Sequence, residues 1–245
     1  MAFGEIGLDG QRALKAASAL VVGVGGLGSW VAELLARSGV GHLLIADDDK
    51  VDLTNIHRQG LYDQADAAEG RPKVLAAAER LAKINSAVIV EAHRLHVNAG
   101  NIASLADRVD LIVDGTDNFH TRFIINDYAV KYSRPWIFAG AVSAEGQLMT
   151  VIPSKTACLR CVFDAPPPPC TDPTCRESGV LGPVVATIAS MQAAEAVKIL
   201  AGRSDAICPF LTKIDFWTNQ FQRLEAARSP DCPCCQGRHF DYLDA

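Results

Sequence analysis

Three glycines, one acid and two cations stand at intervals that suit a phosphorylated nucleoside. Gly23, Gly25 and Gly28 fit G-x-G-x-x-G within "VVGVGGLGS". Between a strand and a helix, such a turn brings backbone close to phosphate, and the helix N-terminus offers unpaired N–H groups. Asp47 follows at the end of the next apolar run, where a carboxylate meets ribose hydroxyls. Arg58, in "NIHRQ", and Lys73, in "GRPK", add two cations beyond that acid. A dinucleotide's pyrophosphate is largely handled by the glycine turn. Two further cations suit the larger charge of a triphosphate, so ATP is expected over NAD. Asp117, in "DGTDN", is positioned to hold Mg²⁺ against phosphate oxygens. Singly, Arg58 and Lys73 read as solvated surface charges; together, at successive strand ends, they read as a site.

Eight cysteines form a second constellation. Cys158 and Cys161 make one C-x-x-C, and Cys232 and Cys235 make another some seventy residues on. Two such pairs suit a tetrahedral zinc site; a redox pair and idle thiols are the competing readings. Cys234 could replace a neighbour as ligand, although it breaks the spacing. Cys175 closes a proline-rich loop beside Arg176, which would lower its pKa, and so stands as a candidate catalytic thiol against a plain loop cysteine. Cys170 is a weaker candidate in the same loop, and Cys208 reads as core.

The elements that must position these residues follow from apolar runs and breakers. Strands are expected at 18–24, 42–47, about 87–95, 110–118, 135–142 and 146–153. Helices are expected at 28–39, 71–85, 119–133 and about 183–201. Strand and helix alternate up to Ser133. The expected fold class is therefore α/β: a doubly wound, mostly parallel sheet with a Rossmann-like nucleotide-binding half. An added antiparallel, zinc-tied C-terminal portion completes it. The organisation expected is a single domain over 1–245, with 1–135 for the nucleotide and 136–245 for the partner and zinc. The prolines of "FDAPPPPCTDPTCRESG" exclude helix or central strand, leaving a long loop.

Half the residues are hydrophobic and a fifth charged, as in a soluble α/β domain with a large core. The net charge of −5 argues against nonspecific nucleic-acid binding. "MAFGEIGLDGQRALKAAS" lacks the pattern of a signal peptide. The longest uncharged stretch, Ser178 to Ala194, is short of a membrane span. The expected location is the cytoplasm, with no membrane partner.

Six segments in this order, "GVGGLGS", "ADDDKVDLTNIHRQ", "GRPK", "DGTDN", "CLRC" and "CRESGVLGPVV", resemble the ThiF/MoeB/HesA adenylyltransferases, bacterial relatives of ubiquitin-activating enzymes. The resemblance covers nearly the whole chain. It implies Mg-ATP and a small ubiquitin-like sulfur-carrier protein ending in Gly-Gly as substrates. The carrier's carboxylate attacks the α-phosphate, pyrophosphate leaves, and a separate sulfur donor then makes a thiocarboxylate. It also implies a homodimer. Carried over by motif, Gly26 lies in the phosphate turn, Asp47 binds ribose, and Asn55, Arg58 and Lys73 contact phosphates. Gln59 and Asn118 complete the nucleotide site, and Asp117 ligates Mg²⁺. His57 is given no role. Such chemistry needs no general base, because a carboxylate is already a nucleophile at pH 7. Relatives carry an Arg-Tyr-x-Arg-Gln segment before the equivalent of "GLDGQ", whose arginine reaches the partner's ATP site. The first arginine here is Arg12, which the resemblance places on the first helix, so slow adenylylation is expected. The alternatives are activation of a carboxylate on a modified tRNA nucleoside, a non-catalytic nucleotide-binding scaffold and an NAD-dependent dehydrogenase.

Overall fold

A computed structural model describes residues 3–166 and 179–244. Helix α1 (Gly7–Ala16) leads into strand β1 (Ser18–Val22), and helix α2 (Gly26–Ser38) into β2 (His42–Ala46). Two further helices, α3 (Gln64–Ala68) and α4 (Lys73–Ile84), precede β3 (Ile89–His93). Next come α5 (Ile102–Ala106), β4 (Leu111–Asp114), α6 (Phe119–Lys131), β5 (Trp136–Val142) and β6 (Glu145–Val151). A long helix, α7 (Gly182–Leu200), and the strands β7 (Leu211–Asp215) and β8 (Gln220–Leu224) complete the chain.

The strands form one sheet in the order β3-β2-β1-β4-β5-β6-β7-β8. Pairing is parallel from β3 to β5 and antiparallel from β5 to β8. The chain reverses direction across the sheet at β1, so the carboxyl ends of β1 and β4 diverge into a crevice. The expected architecture is therefore the observed one, antiparallel extension included.

Alternation within the strands builds two cores. Ala19, Val21, Leu43 and Ile45 face α2, α4 and α7, while Leu20, Val22 and Leu44 face α5 and α6. Each fully buried Leu, Ile or Val contributes about 1.5–3 kcal/mol, so the parallel half is held from both faces. Gly39, in the left-handed region at φ 84°, ends α2, as its position in the sequence predicts. Pro72 stands one residue before α4 rather than inside its first turn.

Among the described residues, α7 alone is long and apolar enough to cross a membrane, by length and composition. Here it is a core helix. It packs on α2 and β5, and its buried Gln192 donates to the carbonyls of Asp114 (2.8 Å) and Ile137 (2.9 Å). Four elements go beyond the sequence reading: the five-residue helices α3 and α5, and the strands β7 and β8. Cys208, expected in the core, is partly exposed on the segment before β7.

Candidate active site

The crevice is built from backbone first. β1 stops at Val22 because Gly23 turns at φ 82°, and a Cβ there would stand 2.8 Å from the Gly115 carbonyl oxygen. A Cβ on Gly28 would lie only 1.8 Å from the Gly23 oxygen. The third glycine thus lets α2 begin directly against β1 and the segment after β4. Both backbone groups of Val24, inside the turn, are fixed. Its N–H donates to Asp47 Oδ2 at 2.9 Å, and its carbonyl accepts from the buried Tyr62 hydroxyl at 2.7 Å. Burial raises the Tyr62 pKa well above its ordinary value, so the phenol keeps its proton and remains a donor.

Asp47 also accepts from the Asp49 N–H at 2.9 Å, so each of its oxygens retains a free lone pair for a ribose hydroxyl. Burial raises its pKa, and the charge of Lys73 partly offsets that rise. Lys73 is itself 5% exposed. Its Nζ lies 2.7 Å from Asp49 Oδ2 and 4.0 Å from Asp47 Oδ1. Arg58 donates to Asn55 Oδ1, and its carbonyl accepts from the Trp30 indole at 3.0 Å. Gln59 is 4% exposed and its Oε1 has no hydrogen-bond partner. Asn118 caps α6 by accepting from the Thr121 N–H at 2.9 Å. That cap projects Asp117 outward, exposed and without a hydrogen bond or ion pair among the described residues.

These groups line one cleft of about 560 Å³. Every residue assigned to the nucleotide borders it except Gly28, whose part is to let the elements meet. Cys175 and Cys170 lie outside the described residues. Arg12 lies on α1 as expected, paired at the surface with Asp9.

The sequence reading missed a further set in the same cleft. Arg122 is buried, and its Nε donates to the fully buried Asp114 carboxylate at 3.0 Å. Its Nη2 donates to the carbonyls of Thr116 (2.8 Å) and Ala139 (3.0 Å), and the ring faces of Phe119 and Phe138 flank it. Burial raises the Asp114 pKa, and Arg122 counters it. The cluster clips the Asp117 segment to β5. Glu145, Gln147 and Lys213 border the cleft from β6 and β7, and His96 does so from the segment after β3. Only an unpaired buried polar pattern in "FHTRFIIND" could have flagged Arg122. Nothing local marks Lys213.

The cysteine constellation assembles away from this cleft, on the α6 face. Cys158 Sγ lies 3.7 Å from Cys161 and 3.6 Å from Cys232, and Cys161 lies 3.5 Å from Cys235. Thiolates about 2.3 Å from a common tetrahedral zinc would stand about 3.8 Å apart, so the four sulfurs fit such an ion. The hydrogen bond with Cys158 pushes Cys161 up to about 12, and burial pushes Cys235 up to about 11. Cys234 is not among the four: its Sγ faces the Asn126 amide at 3.4 Å. Asn126 Oδ1 accepts from the Leu159 N–H at 2.8 Å, fixing the first cysteine pair to α6.

Chemically, the cleft gathers a glycine turn at a helix N-terminus, the part-buried acid Asp47, the free acid Asp117 and the cations Arg58 and Lys73, with Arg122 and Lys213 also on its lining. Among the described residues, its lining includes no serine or cysteine. That arrangement can neutralise and orient a triphosphate.

Comparison with known proteins agrees with this geometry. The family model described as "ThiF family" matches residues 1–234. The sulfur carrier protein ThiS adenylyltransferase of Bacillus subtilis is 40% identical over 243 residues, covering 98% of this chain and 71% of that protein. The sulfur carrier protein adenylyltransferase of Thermus thermophilus is 39% identical over 94% of this chain and 86% of its own length. Among solved structures, E. coli MccB with ATP superposes with a TM-score of 0.82 at 25% identity, over 93% of this chain and 69% of that one. A family match over residues 1–234, on a mostly parallel sheet with the glycine turn at the start of α2, means that the chain belongs to the ThiF family.

Proposed function

We propose that the protein is an adenylyltransferase that activates the C-terminal carboxylate of a small ubiquitin-like sulfur-carrier protein with ATP. One observation carries this reading. A phosphate-binding turn, a ribose-facing acid, two converging cations and an unpaired acid share one cleft, in a chain whose relatives are named for that activity. A carrier carboxylate oxygen attacks the α-phosphorus, forming a new P–O bond. The bond from that phosphorus to the bridging oxygen breaks, and pyrophosphate leaves with the electron pair. No proton is transferred, because the carboxylate is already ionised at pH 7, so the step needs no general base.

The work of the protein is then positioning and charge neutralisation. Backbone N–H groups at Gly25 and Gly26 receive phosphate at the start of α2, and Asp47 takes the ribose. Arg58, Lys73, Asn55 and Gln59 address the phosphate oxygens. The unpartnered Gln59 Oε1 turns the amide's donor side to the turn: a Cβ on Gly25 would lie 3.6 Å from Gln59 Nε2. Asp117 is the residue to hold Mg²⁺, which would supply positive charge to the phosphates. Cys158, Cys161, Cys232 and Cys235 are the residues to hold zinc in a structural role. Residues 1–135 serve the nucleotide and 136–245 the carrier, around one continuous sheet. A homodimer, a separate sulfur donor and a cytoplasmic setting complete the reading.

The test is ATP–pyrophosphate exchange with candidate carriers ending in Gly-Gly. Exchange should require the carrier and vanish when its terminal carboxylate is amidated. Exchange without any carrier, or none with any Gly-Gly carrier, would overturn the assignment.

A further inference from the structure

The nucleotide residues use one end of the cleft. The other end is floored by β5, β6 and β7, and its register is set. Gly140 pairs with Gln147, Val142 with Glu145, and Gln147 with Lys213. In a pleated sheet, residues directly opposite or two apart share a face. Gly140, Val142, Glu145, Gln147 and Lys213 therefore form one row, and all five border the cleft.

The row is shaped to receive something. Gly140 leaves the floor bare: a Cβ there would stand in the cleft 3.4 Å from the Gln147 amide nitrogen and 3.7 Å from Arg122 Nη2. The Gln147 amide makes no hydrogen bond among the described residues, so its donor and acceptor are free for an extended backbone. Arg122, the nearest guanidinium, has committed its Nε and Nη2 to Asp114, Thr116 and Ala139. The cation left on the row is Lys213. Its Nζ is 3.9 Å from Glu145 Oε2, with side chains 42% and 62% exposed, a loose pair that can rearrange.

Displacement at the α-phosphorus is in line, so the acceptor enters opposite the departing pyrophosphate. Arg58 and Lys73 gather the phosphates on the β1–β2 side. The acceptor therefore arrives over β5–β6–β7, where its carboxylate meets the repulsion of Glu145 and the attraction of Lys213. We propose that Lys213 binds the acceptor carboxylate on the Gly140–Gln147 row and guides it to the α-phosphorus. This rests on the adenylylation reading above and names the residue that selects a free carboxylate.

The test separates binding from turnover. Short peptides ending in Gly-Gly, as the free acid or the amide, are titrated into protein saturated with a non-hydrolysable ATP analogue. The acid should bind wild type about fivefold more tightly than the amide, the size of one partly screened charge contact. Lys213→Ala should abolish that preference, Lys213→Arg should retain it, and Glu145→Gln should increase it. Analogue affinity should stay unchanged in all three, because none touches the nucleotide end. In carrier-dependent exchange, Lys213→Ala should raise KM for the carrier and leave kcat near wild type. Full retention of the acid preference in Lys213→Ala, or equal binding of acid and amide to wild type, overturns the role of Lys213. Absence of exchange in wild type overturns the adenylylation reading instead, because the peptide titration requires no turnover.

Discussion

Arg58 and Lys73 enter the cleft from different surroundings, and their removal should read differently. Each charge-assisted contact to phosphate contributes about 1.5–3 kcal/mol, so Arg58→Ala and Lys73→Ala should each slow carrier-dependent pyrophosphate exchange by about tenfold or more. Arg58 is partly exposed and bonded to Asn55, so its loss should leave the melting temperature near wild type. Lys73 is buried and supplies the charge that offsets burial of Asp47. Without it the Asp47 pKa rises further. A carboxyl whose folded pKa lies above its unfolded value destabilises the fold once ionised, and that penalty fades as pH falls through the folded pKa. Lys73→Ala should therefore melt below wild type at neutral pH, with the gap narrowing in acid. A gap that stays constant across pH would show that Lys73 does not act through Asp47. Unchanged exchange in both variants would make them surface charges. The place of Arg58, Lys73 and Asp117 on the cleft was legible because each sits in a short motif in the segments that follow strands of the parallel half. Arg122 and Lys213 were not: one is a helical cation whose partners come from β4 and β5, and the other reaches the cleft only through the β6–β7 register.

At the scale of elements, the site depends on how closely α2 can start against β1. A Cβ on Gly28 would meet the Gly23 carbonyl at 1.8 Å, and that oxygen belongs to the turn itself. Forcing a methyl into such a contact commonly costs about 1–3 kcal/mol, and more where backbone must move. Gly28→Ala should therefore lower the melting temperature and weaken ATP binding together, since relief requires α2 to withdraw from the phosphates. Calorimetry with and without ATP measures both. Wild-type affinity in a destabilised Gly28→Ala protein would separate the turn from the helix start. The same closeness explains why this region was readable: apolar strands bounded by glycines leave few alternatives. The C-terminal strands offered no such pattern. Every residue of β8 is exposed, so it lacks a buried face to imprint alternation. The helix α6 was recognisable by length, yet it buries Arg122, Asn126 and Asp127. Those positions become favourable only once Asp114, the Leu159 N–H and the Tyr242 N–H meet them.

Across the whole molecule, the four-sulfur cluster joins residues more than seventy positions apart and fixes the C-terminal tail over α6. The pairwise spacing made the cluster legible in sequence. The same spacing favoured Cys235 over Cys234, which breaks it, and the fold agrees by grouping Cys235 with the other three and turning Cys234 toward Asn126. Protein-only contacts share the task. Arg160 donates to the His239 carbonyl at 3.1 Å and to Asp241 at 2.9 Å, and Asp127 accepts from the Tyr242 N–H at 3.0 Å. A structural zinc adds binding free energy to the folded state alone, so its removal should lower stability; Cys158 and Cys232 belong to the core packed on α6, whereas the core under α2 and α7 holds none of the four cysteines and should keep the sheet together. The purified protein should hold about one zinc per chain. Cys232→Ser should lose it and melt at a lower temperature while keeping wild-type far-ultraviolet dichroism. Cys234→Ser should retain the metal, because that sulfur serves Asn126 rather than the cluster. Elemental analysis and thermal melts of the two variants decide the matter. Freshly purified protein without metal would sink the zinc assignment, and full metal in Cys232→Ser with loss in Cys234→Ser would transfer the ligand role from one cysteine to the other.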